Sequence, residues 1–312
     1  MSNAAMHVPI SIDKAHSILG HMGEDDIRKI CAHLNIPIDK GKLKPCIHCA
    51  LAKAKRKAVN KNKTAVEKIK PASKMKGRYN LDLSRINWKT KKKENSNRNP
   101  NWRLLVDEYT SLSFSSFHKT KDQMISHTCE QLSKWIETGK VVTTIRCDNA
   151  GENQKLESSC TGKHWKLPIK FEYTARATPE QNSLVEKKFD TLASRARSVL
   201  NASKLPDSLR GLLANECIQT VTLLDGLVVR EIDGVKATRF EHWGKELPKF
   251  TAHLREWGEA GIVCTRDIKT SKLSNKGVLC MFVGYALQHA GDCYRIYNPK
   301  TKRIMISRDI NG

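Results

Sequence analysis

The chain has 312 residues, 39% of them hydrophobic, enough for two or three domains with real cores. Its formal charge of +23 and pI near 9.7 point to a polyanionic partner. A membrane surface would also attract that charge, but no apolar run reaches the ~18–20 residues that span a bilayer and no secretory signal is present. Ten cysteines without a repeating framework argue against a secreted disulfide scaffold and read instead as reduced, buried small hydrophobes, Cys46 and Cys49 excepted.

The opening MSNAAM resembles a cloning remnant. Residues 12–35 have helical character: Glu24, Asp25 and Asp26 suit a helix start, with Ile27, Ile30, Cys31 and Leu34 as the apolar face. Pro37 and Pro45 bracket a loop leading to CIHCALAKAKRK. The excess charge sits here, since residues 40–103 hold 21 Lys and Arg against three acids, Glu67, Asp82 and Glu94. Residues 53–77 therefore read as a basic linker. RYNLDLSRI alternates Tyr79, Leu81 and Leu83 with Asn80, Asp82 and Ser84, as a strand does. After a polar, basic stretch at 87–101, WRLLVDEYTSL and SFSSFHKT read as two more strands. KDQMISHTCEQLSKWIETG reads as a helix ending at Gly139, VVTTIRCD (141–148) as a buried strand and KFEYTARA as a further strand. The next helix opens on Thr178-Pro179 and carries a core stripe of Val185, Phe189, Leu192, Ala196 and Val199. Residues 205–228 fit one or two helices, and 276–310 a small antiparallel β-module. The order is mixed α/β, RNase H-like, with a small C-terminal β-rich module.

Three groups of residues carry chemistry. His16-x4-His21 and, 24 residues later, Cys46-x2-Cys49 form an N2S2 set that suits structural Zn²⁺, with four protein ligands leaving no open position. His33 and His48 stand outside this set, His48 pointing away from between the cysteines. The bland alternative is two helix histidines and a chance cysteine pair.

Asp82 and Asp148 close strands and Glu186 opens a helix, offset from its core stripe. Three acids packed together raise each other's pKa unless cations offset their charge, and a Mg²⁺ pair is the usual reason to build such a cluster. Separately each has a dull reading: Asp82 paired with Arg85, Asp148-Asn149 as a turn, Glu186 as a solvated helix acid. Asp107 is the chief rival. The third group is basic: KAKRK with Lys53, Lys55, Arg56 and Lys57, the KTKKK run at 89–93, and Lys187, Lys188, Arg195 and Arg197 on the helix can neutralise phosphates. Trp88, Trp102 and His164-Trp165 suit either base stacking or core packing.

HSILGH with CIHC, DEYTSLSF, CDNAGEN, ATPEQNSLVEKK and FVGYA…YRIYNPKTKRIMISRDI occur in one order, and together they resemble the integrase region of a copia-type LTR retrotransposon Pol polyprotein. The resemblance runs through nearly all of the chain. It implies an HHCC zinc module at 7–52, the linker at 53–77, an RNase H-like integrase core at 78–245 and the β-rich module at 246–312. It further implies strand transfer of element cDNA into target DNA with Mg²⁺ or Mn²⁺ at Asp82, Asp148 and Glu186, and DNA held by Lys187 and Lys188 beside them. Homo-oligomers, other Pol and Gag products as partners, a cytoplasmic particle before nuclear import and action in the nucleus are implied likewise. So is the chain's being a fragment of a longer polyprotein. The alternative is a catalytically decayed or domesticated DNA-binding relative; another two-metal nuclease fits the N- and C-terminal modules less well. Ala150 and Ser183 stand where the family has glycines, and Lys187 where it has arginine.

Overall fold

The computed structural model describes residues 9–54, 75–87, 99–174, 183–264, 277–308 and 310–311. Two short helices open it, α1 (Ile12–Ile18), capped by the Ser11 hydroxyl, and α2 (Glu24–His33), with three acids in its first turn. A third, α3 (Ile47–Lys53), begins at Cys46.

The central sheet contains β1 (Arg78–Arg85), β2 (Asn101–Asp107), β3 (Ser113–His118), β4 (Thr144–Asp148) and β5 (Lys170–Thr174). Its order is β3-β2-β1-β4-β5; the first three strands are antiparallel, and β4 and β5 run parallel to β1 and to each other. Parallel neighbours need crossovers, supplied by α4 (Lys121–Glu137) between β3 and β4 and α5 (Gly151–Thr161) between β4 and β5. This is the RNase H-like order expected from sequence. Alternation along the strands divides two faces. Tyr79, Leu81, Leu105, Ile145 and Cys147 pack with α4 and α5. Trp102, Leu104 and Val106 pack with Val185, Leu192 and Val199 of α6 (Ser183–Ala202) and Leu213 and Cys217 of α7 (Asp207–Asp225).

Several expectations needed correction. The 141–148 strand is shorter, since it starts at Thr144 and Val141 is exposed. Of the two readings left open for LRGLLANECIQTVTLLDGLVV, the structure has one helix, packed against α6, β3 and the C-terminal sheet. The hairpin of β6 (Val229–Ile232) and β7 (Val235–Thr238) was missed, although Asp233-Gly234, both at positive φ, is a strong hairpin signal. Helix α8 (Arg239–Gly244) follows, with a Thr238–Glu241 capping box. Cys264 is exposed and Cys293 half-buried, unlike the other cysteines read as buried hydrophobes. Trp102 is a core residue: its ring packs on Phe117 and Phe189 and its Nε1–H donates to the Ser115 hydroxyl. Trp88 and Thr178-Pro179 lie outside the described residues.

The C-terminal sheet, in order β11-β10-β9-β8-β12, comprises β8 (Ala260–Cys264), β9 (Gly277–Tyr285), β10 (Tyr294–Asn298), β11 (Arg303–Ser307) and β12 (Ile310–Asn311). The N-terminal helices do not stand apart from it. Ile12, Leu19, Ile27 and Ile30 share one core with Leu224 at the end of α7 and with Val263, Phe282, Ile296 and Ile310 of the sheet. The short N-terminal segment thus borrows the apolar surface that its own length cannot supply.

Candidate functional site

His16, His21, Cys46 and Cys49 present four ligand atoms within 4.8 Å of one another. Sequence explains the geometry. Helix α1 ends at Leu19, and Gly20 (φ +65°) and His21 (φ 58°) turn the chain back through the left-handed region. A Cβ on Gly20 would lie 3.2 Å from Leu224 Cδ1 and 3.3 Å from Arg195 Nη2, so glycine serves both the turn and the close approach. His16 Nδ1–H donates to the Met22 carbonyl (2.7 Å), which fixes the ring and leaves Nε2 facing the group. Cys46 and Cys49 sulfurs lie 3.4–3.6 Å from His16 Nε2 and His21 Nδ1. Tetrahedral zinc, with its usual Zn–N and Zn–S lengths, gives N···S edges of about 3.5 Å. The two histidine nitrogens, 2.9 Å apart, sit slightly inside the corresponding N···N edge of about 3.3 Å. Burial lowers the pKa of both histidines, that of His21 to about 3, so both rings are neutral, the state a ligand requires. The group could hold a zinc ion. His48 is not among these ligands, and His33 bonds to Glu241 of α8 at 2.7 Å.

Strand pairing brings the acids to one place. The parallel ladder sets Tyr79 opposite Ile145 and Asn80 opposite Arg146. Asp82 and Asp148 each lie two positions beyond the last paired residues, Asp148 at the end of β4 and Asp82 inside β1 rather than closing it as expected from sequence. Asp82 also lies opposite Leu104, whose side chain faces α6, so it points toward α6 as well. Glu186 is in the first turn of α6, which packs across β1 and β2. Burial first, then the charges of Asp148, Glu186 and Glu152, push the pKa of half-buried Asp82 up to about 6 despite a 2.7 Å hydrogen bond from Leu83 N–H. Asp148 and Glu186 are exposed, and Asn153 holds Asp148 Oδ1 through a 2.5 Å hydrogen bond. The three carboxylates do not form a group as tight as the 4.8 Å of the His2Cys2 set.

The rivals go elsewhere. Asp107 is buried on the opposite face, across from Tyr79, and accepts from the Thr110 N–H (2.9 Å) and hydroxyl (2.6 Å) to fix the β2–β3 turn. Glu108 is clamped by Arg78, and Glu152 pairs with Lys121 at 2.6 Å. Ala150, at φ −79° and ψ 151°, is an ordinary helix N-cap, and Ser183 does not adopt a positive φ, so neither replaced glycine leaves strain.

Among the basic residues, Lys53, Lys187 and Arg197 are exposed, Arg197 touching the Ala52 carbonyl at 3.3 Å. Lys55, Arg56, Lys57 and the run at 89–93 lie outside the described residues. Lys188 and Arg195 do not face solvent as the sequence reading had it. Both are buried and paired with Asp225, Lys188 Nζ at 2.8 Å and Arg195 Nη1 at 3.2 Å, together with Arg239 of α8. A helix turns successive residues through about 100°, which sends Lys187 outward and Lys188 in. Asp225 was missed, although an acid closing the apolar run TVTLLDG is a signal of a buried ion pair.

The sheet order, the C-terminal β-module and the His2Cys2 group define an RNase H-like α/β protein with a His/Cys cluster in its N-terminal helices. Residues 261–311 match the family model of the retroviral polymerase SH3-like domain. Over 309 residues, 96% of its length, the chain is 26% identical to the retrovirus-related Pol polyprotein from transposon TNT 1-94 of Nicotiana tabacum, of which it spans only 21%. The chain thus resembles the integrase region of a copia-type retrotransposon Pol polyprotein. Solved structures similar to it include a simian T-cell lymphotropic virus intasome (15% identity, TM-score 0.40, covering 74% of this chain and 75% of that one). The catalytic core domain of BIV integrase is 12% identical, with TM-score 0.37 over 55% of this chain and 95% of that one. The HTLV-2 integrase core in complex with magnesium is 17% identical, with TM-score 0.36 over 54% and 96%.

Proposed function

We propose that this chain is a DNA integrase that joins a 3′-hydroxyl of element cDNA to a phosphodiester of target DNA. The observation that supports the reading is that Asp82 within β1 feels the charges of Asp148 at the end of β4 and Glu186 in the first turn of α6. The electrostatics fit a cation site: burial first and then the acidic neighbours raise the pKa of Asp82, and a divalent ion would offset both costs. Asp82 and Asp148 would share Mg²⁺ or Mn²⁺ and Glu186 would complete the set; such ions, when bound, activate the attacking hydroxyl and stabilise the leaving oxygen. In the transfer a new P–O bond forms to the cDNA 3′-oxygen, which loses its proton, and the target strand's 3′-oxygen leaves and gains one. Leu83 N–H and Asn153 orient the Asp82 and Asp148 carboxylates. Exposed Lys187, with Lys53, Arg197 and the basic linker residues Lys55, Arg56 and Lys57, would hold DNA phosphates beside the site.

The His2Cys2 group would carry structural Zn²⁺, closed to substrate by its four protein ligands. Homo-oligomerisation, contact with other Pol and Gag products, and passage from a cytoplasmic particle to the nucleus complete the proposal. Among the described residues no helix is long and apolar enough to cross a membrane. Strand transfer of a labelled terminal duplex into plasmid, with Mg²⁺ or Mn²⁺, tests it. Joined product from the wild type and none from Asp148→Asn is expected; no joining by folded, zinc-loaded wild type favours a DNA-binding relative without catalysis.

A further inference from the structure

One buried acid, Asp225, sits among three buried cations. Its carboxylate accepts from Lys188 Nζ at 2.8 Å, Arg195 Nη1 at 3.2 Å and Arg239 Nη1. That leaves two positive charges unmatched in the interior, a costly arrangement unless other acceptors offset it. They are present at two helix ends. Arg195 Nε and Nη2 donate to the carbonyls of Gly20 (3.0 Å) and Leu19 (2.9 Å), just past the C-terminus of α1, and Arg239 Nη1 donates to the Asp225 carbonyl (3.0 Å) at the end of α7. Unsatisfied carbonyls and the negative end of the helix dipole are what a cation prefers there.

The hub lies between two sites. Toward the N-terminal module, Arg195 grips the two carbonyls immediately before His21, a member of the His2Cys2 group. Ser198, one turn further along α6, hydrogen-bonds Cys49, and Arg197 reaches the Ala52 carbonyl. Toward the sheet, Lys188 is two residues from Glu186 and its ammonium ties the beginning of α6 to the end of α7. The middle of α6 is thus fastened to the turn that carries a metal ligand, and its start to the same carboxylate.

We propose that Arg195, Asp225 and Lys188 are positioning residues that link zinc occupancy of the His2Cys2 group to the placement of Glu186 on α6. The link rests on the reading of Glu186 as a site residue only for its consequence. The mechanical coupling stands on the contacts alone. With zinc bound, the Leu19–His21 turn is fixed, Arg195 is held between that turn and Asp225, and Asp225 holds Lys188. Without zinc the turn loosens, Arg195 loses its carbonyl partners, and the first turns of α6 loosen with it.

Hydrogen exchange on the whole chain, zinc-loaded and then stripped with a zinc-selective chelator, tests the link directly. In the wild type, stripping should speed exchange of amides at 184–190 on the order of tenfold, the usual scale of coupling between sites. In Lys188→Met those amides should already exchange faster with zinc bound, and stripping should add little. If 184–190 are unchanged in the wild type while 9–54 become fast, the proposal is overturned; this comparison needs no variant to fold. A Mn²⁺ titration in parallel separates the two readings. By reciprocity, zinc should tighten Mn²⁺ binding by the factor by which Mn²⁺ tightens zinc. Absence of any Asp148-dependent Mn²⁺ binding counts against Glu186 as a metal-site residue, and the exchange result still decides the link.

Discussion

Replacing Asp82 by Asn should stabilise the metal-free protein at neutral pH. Its carboxyl titrates near 6 in the fold against 3.8 in the open chain, chiefly because burial and then Asp148 and Glu186 oppose its charge. The folded state therefore holds its proton to higher pH than the unfolded state does. Stability must fall as pH rises from about 4 to about 6, and the full penalty persists above 6. The difference between 3.8 and about 6 corresponds to about 3 kcal/mol, and partial exposure of the side chain brings the realised gain to about 1–3 kcal/mol. Asparagine keeps an oxygen for the Leu83 N–H, so the change removes the charge with little else. Urea unfolding of wild type and Asp82→Asn in EDTA-free, zinc-supplemented buffer at pH 4, 5, 6 and 7.5 measures this. The variant should match the wild type at pH 4 and exceed it at 7.5. Adding Mg²⁺ should stabilise the wild type more than the variant, since a ligand stabilises only the state that binds it. In an Asp148→Asn background the Asp82→Asn gain should shrink, because the two acids share the repulsion. A variant no more stable than wild type at pH 7.5, or a difference that does not change with pH, would refute the convergence of these carboxylates.

Three further outcomes follow from the same geometry. Gly20→Ala places a Cβ at φ +65° and against Leu224 and Arg195; it should cost about 1–2 kcal/mol or more in urea unfolding and speed zinc loss to a chromogenic chelator. Lys187→Met should lower the slope of log K for duplex DNA against log salt by about one phosphate contact, whereas Lys188→Met, buried on Asp225, should leave the slope unchanged. Asp107→Ala should cost about 1–3 kcal/mol by stripping two hydrogen bonds from the Thr110 turn, yet leave Mn²⁺ affinity at the sheet end as it was.

The residues that were legible in sequence owed this to local rules. Alternation in RYNLDLSRI gave β1 and the face on which Asp82 lies, and the His-x4-His and Cys-x-x-Cys spacings gave all four members of the His2Cys2 group. What sequence could not give was set by tertiary contact. Lys187 and Lys188 look alike in EKKFD, and only the arrival of Asp225 from α7 decides that one is buried. Arg195 reads as a surface cation until the α1 turn supplies its carbonyls. The N-terminal segment reads as a separate module because its partners in the shared core, Phe282, Ile296 and Ile310, follow it by some 250 residues or more.

The two candidate metal sites differ in how they can be assembled, and α6 connects that difference to function. Burial keeps His16 and His21 neutral, so nothing opposes drawing their nitrogens and the two cysteines to within 4.8 Å. Three carboxylates have no such freedom, since each approach raises the cost of charging the next, a repulsion that adds to burial in raising the pKa of Asp82. Such a site cannot hold itself together and must be held from outside. Two of its members are held in strands, Asp82 paired with β2 and Asp148 with β5, but the third depends on where α6 begins. Anchors of that beginning include Val185, Leu184 and Phe189 in the core and Lys188 on Asp225, and the same carboxylate reaches through Arg195 to the turn beside His21. In the proposed coupling the His2Cys2 group would buttress the carboxylates through α6, which would give the N-terminal helices a physical reason to pack on the helix of Glu186.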